Sequence, residues 1–405
     1  MPDGRKFLYY VFARQREYPG IYSGSLNSDE RRQVLSANSN VAYAPPGKGE
    51  AGYLLFVRGT TLVAQPFDAE RLQLSGEPLP VAEQLGYYEG FRIGDFSVSQ
   101  NGALAYGSGI VYPMAQLIWF DHEGKQLGSV GTAGHYTTPR FSPDQHRFAV
   151  GRMDPRTAAK VIWLVEVTNG QSSRFTFDPS SADFPVWSPD GSRIVFATAR
   201  DGPFNLYQKN VNGGTEEPIL KSDDFKLPTD WSPDGRFVLF HSMSVRTTNP
   251  NWDLWILPLN GDSKPYPLTQ TPFNENFGRF SPDGRWIAYA SDESGRYEIY
   301  VESFARESSE ARRKWQISTN GGVAPKWRHD GKELFYAGLD RKLMAVKVKT
   351  SSTTVLAGIP EALFEPPGDF DVAADGKRCL VTIKVAEELP SPITVVLNWT
   401  ASLRR

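Results

Sequence analysis

Five matching positions along this chain hold Arg140, Val186, Asp230, Arg279 and Lys326, each one place before an aromatic residue (Phe141, Trp187, Trp231, Phe280, Trp327). Core packing would make such a position uniform. Four of the five are ionisable instead, so these side chains are expected to face water or one another. Two chemistries follow. Arg279 and Asp230 could form a structural ion pair, or the set could line a polar funnel for a charged ligand or a partner peptide. His135, Tyr136, Asp183, Phe184, Asn276 and Phe277 stand just ahead of the same positions, and exposed aromatics beside a channel mouth suit recognition. The candidate binding set is therefore His135, Tyr136, Arg140, Asp183, Asp230, Asn276, Arg279 and Lys326.

Catalytic constellations are missing from the sequence. No Gly-x-Ser-x-Gly elbow is present, so serine hydrolysis lacks its nucleophile. His-Glu-x-x-His is absent, and the five histidines (His122, His135, His146, His241, His329) are scattered without metal-ligand spacing. Tyr106-Gly107-Ser108-Gly109 lacks the third glycine and the following helix of a phosphate-cradling loop. The acidic pairs Asp223-Asp224 and Asp292-Glu293 read as solvated turns. No cofactor or metal is expected.

The elements that must position the charged residues are repeats. Gly278–Ser291 reads as strand, tight turn, strand: Pro presets φ, Asp bonds its own backbone, Gly accepts positive φ, and Trp286–Tyr289 is rich in strand formers. Aligned on the turn aspartate, copies fall at Asp144, Asp190, Asp234, Asp283, Asp330 and Asp375, spaced by 46, 44, 49, 47 and 45 residues. Asn101-Gly102, the region of Gly47-Lys48-Gly49 and Pro2-Asp3-Gly4 extend the series to nine units. A period in the mid-forties is that of a four-stranded propeller blade. The fold expected is all-β, a propeller of about nine blade units. The aromatics before the Ser-Pro turn should pack between adjacent blades.

Composition agrees: of 405 residues 40% are hydrophobic and 13% aromatic, with 36 Gly and 30 Pro, which suits a turn-rich all-β chain with ample core. A net charge of −2 gives no support for nucleic-acid binding. The single cysteine, Cys379, excludes an intrachain disulfide. Apolar runs such as Ile393–Leu397 are far too short to span a bilayer, so no direct membrane insertion is expected, and no signal-peptide pattern opens the sequence.

The Trp187–Gly191, Trp231–Gly235 and Phe280–Gly284 motifs resemble the WD-like repeats of TolB-type propellers. The segments beginning at Phe175, Asp201, Trp252, Lys314 and Ile393 further resemble the C-terminal propeller region of acidobacterial membrane-anchored serine/threonine kinases. That resemblance covers essentially the whole chain. It implies a sensing or scaffolding module for a protein, a peptide or a small charged ligand, in a periplasmic or other extracytoplasmic compartment. Kinase activity does not carry over, since no Gly-rich loop, His-Arg-Asp or Asp-Phe-Gly is present. Asp369-Phe370-Asp371 lacks the Gly and occupies an inner-strand slot. The competing class is a hydrolase or lyase working in the channel.

Nine units exceed a comfortable ring. One reading takes residues 1–90 as two units left from a truncated upstream propeller and 91–405 as a six- or seven-bladed ring. The other makes 1–405 one eight-bladed ring whose ends share a blade. In the last unit the expected strands are 369–373, 378–383 and 393–399.

Overall fold

The computed structural model describes residues 1–405 except 2–3, 12–19, 38, 47–51, 89–91, 109–113, 155–156, 158, 245–249, 262–263, 305–311, 352, 366–367, 386–392 and 405. The expected turns at Pro2-Asp3 and Gly47-Lys48-Gly49 lie outside the described residues. Two compact units emerge: 1–113 with 154–159 and 387–405, and 114–153 with 160–386.

The larger unit is a six-bladed propeller. Blade one is Tyr136–Phe141, Arg147–Met153, Lys160–Glu166 and Ser172–Arg174, all antiparallel and in chain order from the channel outward. Blades two, three and four repeat this from inner strands Ala182–Trp187, Phe225–Trp231 and Glu275–Phe280. Blade five, from Val323–Trp327, carries two short outer strands, Val355–Ala357 and Glu361–Phe364. Blade six is assembled from both ends of the unit. Phe370–Val372 and Arg378–Lys384 supply its inner half, Ala115–Asp121 and Gln126–Gly134 its outer half.

That last arrangement corrects the expected third strand of the final unit. Arg378–Lys384 pairs with Ala115–Asp121 over seven residues, from Ala115↔Lys384 to Asp121↔Arg378. The segment at Ile393–Val396 pairs instead with Leu104–Gly107 of the other unit. Both segments have strand-forming sequences; the longer ladder and the deeper burial decide. Leu117 and Phe120 are buried, whereas Ile393 and Val395 are exposed. Closing the ring with the longer strand covers the outer edge of Arg378–Lys384. The unit that holds the ring comprises 114–153 and 160–386.

Interlocking of blades follows the aromatic expectation. Trp231 packs with Val186, Val195, Val238 and Phe240, spanning blades two and three. Leu117 and Leu380 of blade six pack with Phe148 and Val150 of blade one, sealing the closure. Each Ser-Pro-Asp-Gly turn is locked by its own side chains: Ser281 Oγ donates to Asp283 Oδ1 at 2.6 Å and accepts the Trp286 N–H at 3.0 Å. Gly284 sits at φ 68°, where a Cβ would be strained.

The smaller unit contains three further blade-like sheets among its described residues. These are Lys6–Val11 with Gly20–Ser25 and Ser28–Leu35; Ala42–Ala44 with Gly52–Arg58, Thr61–Asp68 and two short outer strands; and Phe96–Val98 with Leu104–Gly107 and Ile393–Val396. Leu55, Leu62, Leu104 and Trp399 form its core. Six ring blades and three here match the nine units read from the repeats.

Candidate functional site

Five of the six inner strands of the ring carry one extra residue relative to their partners; Phe370–Val372 of blade six pairs without a skip. Pairing skips between Thr137 and Arg140, Asp183 and Val186, Pro228 and Asp230, Asn276 and Arg279, and Val323 and Lys326. At four of these bulges a non-glycine residue takes left-handed backbone: Thr138 (φ 46°), Phe184 (59°), Phe277 (59°) and Ala324 (53°). Each costs about 1 kcal/mol or more. The bulge resets the alternation of faces and re-aims the residues on either side of it.

A cavity of about 460 Å³ opens at the front of the ring, where the inner strands begin. The bulge residues Thr138, Phe184, Phe277 and Ala324 line it, together with Arg140, Arg279 and Lys326. A second cavity of about 430 Å³ lies at the rear, among the Ser-Pro turns, and is lined by Asp230 and Asp371 as well as by Arg140 and Arg279. The charged belt therefore separates the two.

Within the belt, Arg279 Nη1 lies 3.5 Å from Asp230 Oδ1, and Lys326 Nζ lies 3.3 Å from Asp371 Oδ1. Both carboxylates also brace the next blade: Asp230 accepts the Phe280 N–H at 2.7 Å and Asp371 the Phe141 N–H at 2.8 Å. The indole N–H groups of Trp187 and Trp327 donate to the Arg140 and Arg279 carbonyls at 3.0 and 3.2 Å. Arg140 has no carboxylate within ion-pairing distance among the described residues; its guanidinium donates to the Pro139 carbonyl at 3.0 Å.

Burial sets the ionisation of the belt. It lowers Lys326 well below the usual lysine range, with Arg140 and Arg279 adding repulsion and Asp371 only partly offsetting it. Burial and the neighbouring Arg279 bring Arg140 down to about 10, which leaves it charged at neutral pH. Burial raises Asp230 against the pull of Arg279. For Asp371 burial is outweighed by Lys326 and Arg140, and its carboxyl titrates below the ordinary range.

Of the other residues expected at the site, Asp183 is fully buried and holds the first two blades together. It accepts from Lys160 Nζ at 2.7 Å, from Thr138 Oγ1 at 2.7 Å and from the Phe184 N–H at 2.8 Å. Tyr136 donates its hydroxyl to the Thr132 carbonyl at 2.6 Å, and Asn276 donates to the Tyr297 hydroxyl at 3.2 Å. His135 is buried. None of these four lines the front cavity; Phe184 and Phe277 do.

One lining residue escaped the sequence reading. His241, only 5% exposed, ends the second strand of blade three and reaches the front cavity. Neither ring nitrogen has a hydrogen-bond partner among the described residues. Burial, with Arg279 nearby, lowers it to about 3, so it is neutral at neutral pH. Its signal was present in the repeats: the matching positions are Gly151, Ala197, Ala290 and Ala337, all small.

Residues 116–250 match the PD40 family model, described as the TolB beta propeller domain. An uncharacterized protein of Agrobacterium fabrum is 23% identical over 204 residues, covering 48% of this chain and 67% of that protein. An uncharacterized peptidase of Bacillus subtilis, YuxL, is 27% identical over 209 residues, which is 41% of this chain but only 32% of the peptidase. Among solved structures, one described as a TolB candidate from Agrobacterium tumefaciens superposes with a TM-score of 0.52 at 16% identity, covering 68% of this chain and 99% of that one. The fold is a TolB-like propeller.

Proposed function

We propose that the ring is a non-catalytic binding module that holds its ligand at the front mouth. One observation carries this reading: a cavity of about 460 Å³ at the channel mouth, lined by Arg140, Arg279, Lys326 and His241 together with Phe184, Phe277 and Leu339. Arg140 has no carboxylate within ion-pairing distance among the described residues, so an anionic group at this mouth finds a cation to meet. The volume suits a small molecule or one or two side chains of a protein partner. Among the described residues the lining of this cavity offers two hydroxyls, Thr138 and Thr229, and no serine or cysteine. Thr138 is already committed to Asp183.

By resemblance the module serves as the sensing or scaffolding part of a longer, kinase-linked or TolB-like protein, in an extracytoplasmic compartment. A second reading, a ring that works within a hydrolase, draws on the match to the uncharacterized peptidase. Two assays on the purified chain separate them. The first is a panel of chromogenic esters and peptides, with no turnover expected. The second is an immobilised peptide library, where any binding should fall at least tenfold in Phe277→Ala. Turnover that disappears in Phe277→Ala would establish the hydrolase, and peptide binding untouched by that variant would remove the front mouth as the site.

A further inference from the structure

We infer that the front mouth takes a small organic monocarboxylate with an apolar body, its head on the belt cations and its body among Phe184, Phe277 and Leu339. This deepens the binding reading above and rests on it.

Charge supports a monoanion. With Lys326 protonated, the belt holds three cations, Arg140, Arg279 and Lys326, against two carboxylates, Asp230 and Asp371, one positive charge in excess. The charges are also sorted along the axis. Lys326 lines the front cavity alone, the two arginines line both cavities, and Asp230 and Asp371 line the rear one. At the front rim Asp369, which accepts the Thr138 N–H at 3.0 Å, is balanced by Arg341. One negative charge from the front thus neutralises the belt, whereas a phosphate dianion would overshoot it in a site where an uncompensated charge is costly.

The donors match a carboxylate. Arg140 has no acid within ion-pairing distance among the described residues, Arg279 lines the cavity beside it, and neutral His241 stands in the same wall. Guanidinium forks pair with carboxylates in two parallel hydrogen bonds. The walls above the belt are apolar. Phe277 and Leu339 are 39% and 49% exposed without ligand, and the His241 and Phe277 rings already meet edge to face at 6.1 Å. Backbone strain at Phe184 and Phe277 is the cost of presenting those rings.

Calorimetric titration of the full chain at pH 7 tests this with four probes: 3-phenylpropionate, its neutral amide, acetate and inorganic phosphate. The expected result is one phenylpropionate per chain, with the amide, acetate and phosphate each at least tenfold weaker. Arg140→Gln and Phe277→Ala should each weaken phenylpropionate about tenfold while leaving the thermal melt in place; neither residue holds an ion pair on which the fold depends. Equal binding of acid and amide, tightest binding of phosphate, or no phenylpropionate binding overturns the inference. If phenylpropionate fails while Phe277→Ala still abolishes capture of a library peptide, only the ligand class falls. If Phe277→Ala leaves every binding event unchanged, the front-mouth reading falls with it.

Discussion

The two mouths of the channel are built from the same six inner strands, yet they handle polar groups in opposite ways. At the rear, Asp230 and Asp371 are satisfied twice over, by a cation and by a backbone N–H of the next blade. Positive φ there falls on turn glycines such as Gly284 and Gly331, where it is cheap, with Gln145 (φ 61°) the exception in the blade-one turn. At the front, the Arg279 Nε and both His241 ring nitrogens make no hydrogen bond among the described residues, Arg140 has no acid partner there, and positive φ falls on Thr138, Phe184, Phe277 and Ala324. The rear is organised for stability. The front carries unsatisfied donors and strain together, the pattern of a surface kept for a ligand.

The largest expected effect comes from breaking the rear. Asp371→Ala removes the partner of buried Lys326 and the acceptor of the Phe141 N–H at the seam between blades six and one. A buried charge is then left alone, which costs about 3–5 kcal/mol. Urea unfolding should show that loss, and Asp371→Asn, which keeps an acceptor, should recover part of it. Arg140→Gln at the same level should cost under about 1 kcal/mol, because no ion pair is lost. Equal costs for the two variants would erase the distinction between the mouths.

How much of this could be read beforehand follows from where each feature is encoded. The blades were legible because Ser-Pro-Asp-Gly is local turn chemistry and recurs at Asp190, Asp234 and Asp283. Arg140, Arg279 and Lys326 stood out because they break uniformity at a repeated position. Asp183 broke uniformity too, yet serves the join between blades; sequence does not show that Lys160 arrives beside it from another strand. The exchange of Ala115–Asp121 for Ile393–Val396 in the final blade was not legible. Both are good strand sequences, and only burial in the folded ring chooses between them. His241 was overlooked because histidines were surveyed for metal spacing and not for departure from the small residues at matching positions.

Histidine 241 gives the next effect. Its ordinary value is about 6.5 and burial holds it at about 3, so the folded ring binds fewer protons there than the unfolded chain. Its contribution is fully present above pH 6.5 and is lost as pH falls toward 3, on the order of 3 kcal/mol by pH 4. His241→Phe should flatten that segment of a stability–pH curve measured by denaturant unfolding. The Asp190 turn, whose carboxyl is lowered to about 2 by Ser188 and by the Ser192 backbone and hydroxyl, loses its contribution only below about pH 5, and His241→Phe should leave that loss in place.

A smaller effect couples ligand to proton. Burial and two arginines lower Lys326, and an anion at the front mouth opposes both influences, so binding should take up protons at pH values below the ordinary lysine range. Calorimetry of 3-phenylpropionate in two buffers of different ionisation enthalpy reads this directly. Affinity should fall as pH rises through that range. Lys326→Met should abolish the buffer dependence while leaving the apolar contacts intact.

The smallest effect concerns the backbone itself. Ala324 lies at φ 53° at the front and Gly284 at φ 68° in a rear turn, nearly the same conformation with opposite residue choices. Gly235, at φ 75° in the matching turn of blade three, has open space where a Cβ would go, so Gly235→Ala reports conformational strain alone. It should destabilise by about 1 kcal/mol. Ala324→Gly should do the reverse, stabilising by less than about 1 kcal/mol because the unfolded chain gains freedom at the same time. A ring that grows more stable through Ala324→Gly and through no rear substitution would locate its stored strain at the front mouth. A destabilising Ala324→Gly would mean that the methyl packs well enough against blade six to outweigh the strain, and that this bulge is held by its neighbours and not in reserve for a ligand.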